Sequence, residues 1–341
     1  MVQLSVLDLV PVRRGQTNRQ ALAASMALAR VADRAGCTRY WVAEHHNTAS
    51  VAATNPPVLI ALLASQTDQL IIGSGGVMLP NHAPLVVAEQ FALLEAAFPG
   101  RIDLGIGRAP GTDPVTSWAL RSGRADQTLH EFPDWVQQVL AMVGRDGVGV
   151  DVGGRTFQLR ASPNPMTSPQ TWLLGSSDYS ARLAGELGLP YVFAHHFTGH
   201  GTAEALRLYR ESFRGPGRPR TIVTVNVVVG RDEQTAQRLA LPHRHAMASL
   251  RSGMRLEPVM SVEEAEQATP ALDEAAWQGL VEPWLIGEPH RVAEGIFELT
   301  DRFDVDEVMI HPVSGAFEAE PLDANPAREY AVRELAARLV V

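Results

Sequence analysis

The apolar runs of this chain end, one after another, in polar or glycine residues at their C-terminal tips. That regularity restricts the fold more than any single motif does. Trp41 to Ala43 runs into Glu44, His45 and His46; Leu70 to Ile72 into Gly73, Ser74, Gly75 and Gly76; Ile102 to Gly107 into Arg108. Trp172 to Leu174 leads to Gly175, Ser176, Ser177 and Asp178, Tyr191 to Ala194 leads to His195 and His196, and Val308 to Ile310 leads to His311. Strands buried on both faces read as short continuous apolar runs, and helices between them imply parallel pairing. Ligands of such folds sit at the carboxyl ends of the strands. Strand centres at Leu4, Tyr40, Leu70, Ile102, Trp172, Tyr191, Ile222 and Val308 give the number that a closed barrel needs. The expectation is an α/β chain folded as a (β/α)8 barrel, one domain over residues 1–341.

Helices are expected between the runs. One spans about Asn18 to Ala35 and stops at Gly36; one runs from Val58 to Ser65 with Asn55 as N-cap and Pro56 in the first turn; one runs from Pro84 to Phe98. Two interruptions break the rhythm, 109–126 after strand 4 and 251–288 after strand 7. The first has little periodicity and reads as a loop over the strand ends. The second carries Trp277 and Trp284 and reads as a lid or dimer arm. Between Asp146 and Gln170 the alternating run Arg155 to Leu159 predicts a surface hairpin.

Composition narrows the chemistry. Net charge is −9 and no basic stripe accompanies aromatics, which argues against a nucleic-acid partner. No window approaches a membrane span, and the N-terminus enters a strand without a basic leader, so a cytoplasmic protein is expected. The single cysteine, Cys37, offers no disulfide and no thiolate cage. All 29 basic residues are arginine. Schiff-base aldolases, pyridoxal-phosphate enzymes and Walker-type phosphate loops need a lysine amine, so these three chemistries are excluded.

Glu44, His45 and His46 raise the question of a metal. Successive strand residues point to opposite faces, so the adjacent histidines cannot both enter one barrel, whereas Glu44 and His46 share a face. With no cysteine ligand and no second carboxylate cluster nearby, no metal site is expected. Gly105 to Gly111 resembles a dinucleotide fingerprint, but its third glycine is misplaced and Pro110 stands where a helix should start. Glycines beside Ser74 in an apolar strand mark a bulge or a close-approaching ligand. Gly175 to Asp178 precedes a helix and supplies hydroxyls and N–H groups, with Asp178 a candidate N-cap; Arg108 at a neighbouring tip would make the pair a phosphate cradle.

Taken together, WVAEHH (41–46), SGGVMLPNHAPLVVAEQFALLE (74–95) and PGRIDLGIGRAPGTD (99–113) resemble the bacterial luciferase-like flavin-dependent monooxygenases, single-chain members above all. The resemblance covers nearly the whole chain and thins after about Val229. It implies a TIM barrel that binds FMN at the strand ends. It makes His45 the catalytic histidine beside the flavin, with Glu44 next to it, and places Ser74, Gly75 and Gly76 under the ring, the two glycines joined by a cis peptide. It also places Arg108, Gly175, Ser176 and Ser177 at the phosphate and His195 against the isoalloxazine. Reduced FMN, from a separate flavin reductase, and dioxygen would oxygenate a small organic substrate within a homodimer. Leu79, Pro80, Trp118 and Trp284 would wall the pocket. Valine at Gly76 should abolish flavin binding while the barrel folds, and alanine at Gly75 should be tolerated. The rival readings are F420-dependent hydride transfer on the same fold, a flavin-binding protein without turnover, and a metal-dependent hydrolase.

Overall fold

The computed structural model describes residues 2–109, 113–121, 130–144, 147–305 and 307–340. In chain order the elements are β1 (Gln3–Asp8), α1 (Asn18–Arg34), β2 (Arg39–Val42), α2 (Pro56–Ala64), β3 (Ile71–Ser74), β4 (Val77–Met78), α3 (Pro84–Ala97) and β5 (Ile102–Gly107). Next come α4 (Pro114–Leu120), α5 (Phe132–Val143), β6 (Val148–Val152), β7 (Arg155–Leu159), β8 (Gln170–Gly175), α6 (Asp178–Glu186), β9 (Tyr191–Phe193), α7 (His195–Thr198) and α8 (Thr202–Ser212). The chain continues through β10 (Thr221–Val229), α9 (Glu233–Arg251), α10 (Val262–Gln267), α11 (Glu274–Gly279), β11 (Leu285–Gly287), α12 (Pro289–Phe303), β12 (Glu307–Pro312) and α13 (Pro326–Leu339).

Strands β1, β2, β3, β5, β8, β9, β10 and β12 close a parallel eight-stranded TIM barrel, β12 returning to β1 with Leu4 opposite Val308. The period-two alternation of a strand sorts the side chains into two cores. Leu7, Trp41, Trp172, Val192, Ile222 and Met309 pack together inside the barrel, Trp41 meeting Trp172 edge-on at 5.7 Å. Their neighbours Val6, Tyr40, Val42 and Ile310 join the helices in the larger outer core. Near the strand starts the interior turns polar. Arg39 donates to Asp103 (2.8 Å) and Glu307 (2.6 Å), while Ser5 also binds Glu307. Buried charges of this kind persist only when paired, and here each is.

Local sequence explains where the helices begin. Thr17 forms a capping box with Gln20, Asn55 caps α2 ahead of Pro56, and Asn325 caps α13 ahead of Pro326. The hairpin between residues 146 and 170 is present as antiparallel β6 and β7. Two expectations change. The segment 109–126 is not all loop: Asp113 caps α4, seven residues too short to show a helical period, while residues 110–112 and 122–126 lie outside the described residues. The segment 251–288 holds α10, α11 and β11, and β11 adds a strand beside β10. Asp306, expected to open the last strand, lies outside the described residues.

Candidate active site at the strand tips

β2 ends at Val42, and the next residues turn over the barrel mouth. Glu44 is fully buried. Its Oε1 accepts from His46 Nε2 and His82 Nε2, both at 2.8 Å, and its Oε2 from the Met78 backbone N–H at 2.9 Å. Burial works to raise the Glu44 pKa, but the bonds from His82, His46 and Met78 outweigh it and hold the carboxyl below its ordinary value. Glu44 is thus a bracket for two imidazoles and the end of β4. The shared face expected for Glu44 and His46 is realised. His45 takes the other face: its backbone N–H is tied to Ala53 O, while its buried Nδ1 has no partner among the described residues. Burial pushes the His45 pKa down, against the pull of Glu44 and with a further push from His46.

Around the mouth lies a group of imidazoles held neutral. Asn226 Nδ2 donates to His196 O, which orients the amide, so Asn226 Oδ1 accepts from His311 Nδ1 at 2.8 Å. Thr224 Oγ1 donates to Phe193 O and therefore accepts from His196 Nδ1. Both rings carry their proton on Nδ1, leaving Nε2 as acceptor. The His311 ring sits 5.8 Å from His196 and 5.7 Å from His243, and His243 packs on Trp284 at 5.0 Å. Burial, aided by neighbouring imidazoles, lowers the pKa of His196 to about 4 and that of His243 to about 3, and drives His311 well down. His45 contributes to the repulsion on both His196 and His311, which ties the two rings to it.

The structure places the remaining sequence candidates as follows. Gly75 and Gly76 are joined by a cis peptide between β3 and β4. Ser74 is fully buried, and its hydroxyl bridges Gly105 O and Gly105 N, both at 2.9 Å, so it braces β3 against β5 rather than facing outward. A side chain at Gly76 would meet Gly105 O at 2.8 Å, so bulk there strikes the barrel's own backbone, contrary to the expectation that the barrel would be undisturbed. At Gly75 the obstacle is the tip of Leu7, 2.8 Å away and able to move.

Arg108 is exposed and lies over the Tyr179 ring at 4.3 Å, in the first turn of α6. Ser176 and Ser177 are exposed beside it, so the cation and the helix N-terminus do converge. The N-cap is Ser177, which accepts from Ser180 N, and not Asp178, the first helical residue. Gly175 closes β8 against Ser180, where a Cβ would come within 2.1 Å of Ser180 Oγ. His195 turns away from the mouth: its Nδ1 meets Thr202 Oγ1 at 2.7 Å and its ring packs on Phe303 at 5.6 Å. The imidazole that joins the cluster from this tip is His196. Trp118 is 61% exposed, whereas Trp284 is buried against His243. His82 lies inside the run 74–95 but no role was read for it there, and Asn226 and His243 enter through tertiary contacts alone and carry no motif.

Comparison with known proteins identifies the family and the fold. The family model described as luciferase-like monooxygenase matches residues 2–304. The chain is 40% identical over 311 residues to the protein YvbT of Bacillus subtilis (strain 168), covering 90% of each chain. It is 37% identical over 327 residues to a luciferase-like monooxygenase of Escherichia coli (strain K12), covering 91% of each. At 30% identity, over 94% of this chain and 96% of the other, it is similar to an N-acetyl-S-alkylcysteine monooxygenase of B. subtilis. A shorter match, 36% over 27% of this chain and 26% of the other, is to the oxygenase component of a trigonelline monooxygenase of Acinetobacter baylyi (strain ATCC 33305 / BD413 / ADP1). Among solved structures, apo-MsnO8 superposes with a TM-score of 0.87 at 33% identity, covering 100% of this chain and 99% of the other. The same fold recurs, at 21% and 15% identity and TM-scores of 0.75 and 0.71, in a 3,6-diketocamphane monooxygenase in complex with FMN and an F420-dependent secondary alcohol dehydrogenase; each match covers 99% of this chain and 98% of the other.

Proposed function

Because this chain belongs to the luciferase-like monooxygenase family, we propose that it is a flavin-dependent monooxygenase using reduced FMN and dioxygen to oxygenate a small organic substrate. The observation that carries FMN is Arg108: an exposed guanidinium without an ion pair among the described residues, laid on Tyr179 beside exposed Ser176 and Ser177 at a helix N-terminus. A phosphate monoester supplies the ion-pair partner that Arg108 lacks among the described residues. The residues present fit the group at its other end too, since the orphaned Nδ1 of His45 needs a partner. When bound, reduced flavin supplies two electrons, so that one atom of dioxygen enters the acceptor and the other leaves as water.

The protein's part is to bind, orient and keep water out. Gly75 and Gly76 pack closely against Leu7 and Gly105, and so offer a flat ring main chain rather than side chain at the mouth. His45 holds or moves a proton at the mouth, being neutral and so able to accept or donate one. His46 and His82, pinned by Glu44, hold the wall behind it. A separate reductase is part of this reading, by analogy with the trigonelline relative's description as an oxygenase component, as are a homodimer and a cytoplasmic location. Titration of the purified protein with FMN, riboflavin and F420, followed by flavin fluorescence, tests the reading. Tight FMN binding with weak riboflavin binding is expected. Preference for F420 would transfer the protein to hydride chemistry, and FMN binding without oxygen-dependent flavin oxidation coupled to product would make it a binding protein.

A further inference from the structure

A second group of side chains points to the class of molecule that is oxygenated, an inference that rests on the monooxygenase reading. A cavity of about 100 Å³ lies between the chain that follows β1, helix α9 and the loop after β12, with Arg13, His243, His311, Ser314 and Arg328 in its wall. Apolar residues, Leu9, Val51 and Val313 among them, line the rest. Arg328 is satisfied within the protein: it pairs with Asp8 at 2.7 Å and donates to Pro312 O at 2.7 Å.

Arg13 is different. It is 9% exposed, and one nitrogen, Nη2, makes both of its side-chain bonds, to Pro321 O (2.6 Å) and Ala324 O (3.0 Å). It forms no ion pair among the described residues; Glu320 and Asp323 act on it from a distance. A guanidinium whose remaining donors make no bond among the described residues and touch no carboxylate keeps those donors open to a ligand. In the same wall is Ser314, 4% exposed, whose Oγ has no hydrogen-bond partner among the described residues. A buried hydroxyl without a partner is out of place unless a ligand completes it.

We propose that this cavity receives a carboxylate, Arg13 and Ser314 donating to its oxygens, and that the oxygen acceptor is therefore an organic anion. The guanidinium fork matches a carboxylate's two oxygens, and the hydroxyl supplies one further donor. On the scale at which 150 Å³ holds benzene, this space takes about four heavy atoms. It accommodates the acidic end of the acceptor and a carbon or two. The remainder runs past His311 and His243 towards the mouth, whose imidazoles are neutral and leave the charge to Arg13.

The test uses the FMN-loaded protein and two probes, butanoate and butanamide, with binding followed by saturation-transfer NMR and calorimetry. Butanoate is expected to bind about tenfold more tightly than the amide, as loss of a charge-assisted pair implies. Ser314→Ala, which removes a hydroxyl that no group among the described residues uses, should weaken butanoate several-fold and leave both the amide and Tm unchanged. Arg13→Gln should erase the preference for the anion, and Arg13→Lys should retain part of it. If Arg13→Gln does not fold, because Arg13 also clasps residues 321 and 324, the serine variant decides. Equal binding of acid and amide, no binding of either, or an unchanged butanoate affinity in Ser314→Ala overturns the proposal. FMN affinity is measured in the same samples: a protein that refuses FMN yet discriminates butanoate in this manner loses the flavin reading and keeps the anion site.

Discussion

At the scale of single residues, the site separates into groups that meet ligands and groups that hold them. Arg108→Ala is expected to weaken FMN by about 10- to 100-fold, the loss of one or two charge-assisted bonds, and riboflavin hardly at all; paired fluorescence titrations check this, and equal weakening of both would move the phosphate elsewhere. His45→Asn should slow oxygenation about a hundredfold or more, as removal of a proton-transfer group does, with Tm within a few degrees of wild type. The neutral histidines make stability depend on pH. His243 falls from 6.5 unfolded to about 3 folded and His196 to about 4, so between these values the unfolded chain binds the proton first. Their stabilising effect is complete above pH 6.5 and is lost as pH drops. Asp103, raised to about 6 by burial that Arg39 does not fully offset, works in the opposite sense from 3.8 upward. Urea unfolding of His243→Gln isolates one histidine: its stability should fall less steeply between about pH 6 and 4.5, by about 1.4 kcal/mol per unit. Sequence parity placed Glu44 and His46 correctly because a strand leads into them. At the sixth tip parity offers no guide, because β9 stops at Phe193 and a helical turn starts at His195; there the resemblance pointed to His195, whereas His196 is the ring that meets His311.

At the scale of elements, starts and stops were readable because they are written in adjacent residues, Thr17 with Gln20, Asn55 with Pro56, Asn325 with Pro326. What connects elements was not. The approach of β3 to β5 depends on Gly105, where a Cβ would lie 2.0 Å from Ser74 O, yet Gly105 looked like part of a dinucleotide motif. Gly105→Ala is therefore expected to cost about 1–3 kcal/mol or more through overpacking, seen as a fall of several degrees in Tm. Gly75→Ala should cost less, since only the Leu7 tip must yield. Equal Tm losses for the two would show that β3 can shift to admit either side chain.

At the scale of the molecule, the barrel was predictable from the order of apolar runs, the same order that puts the candidate site at the strand tips. The outer faces of α2 and α3 bear on assembly. Val58 and Leu62 on one and Val86 and Leu93 on the other are 58%, 43%, 48% and 59% exposed. Neighbouring helices with so much apolar surface are expected to bury it in a homodimer. Sedimentation at micromolar concentration should show a dimer for wild type and a monomer for Leu93→Glu; a wild-type monomer refutes it. No helix among the described residues is long and apolar enough to cross a membrane. The polar floor of the barrel has one more consequence, which concerns how the chain is made. Arg39 and Glu307 are 268 residues apart, and β1 finds its outer neighbour only in β12. During synthesis the first strand therefore leaves the ribosome with one edge unpaired and waits for almost the entire chain to follow. Arg39 meanwhile has Asp103 but not Glu307. Closure of the ring and completion of this ionic contact arrive together, with the last strand, so nearly all of the nascent protein must be kept from foreign strands until its own final one emerges.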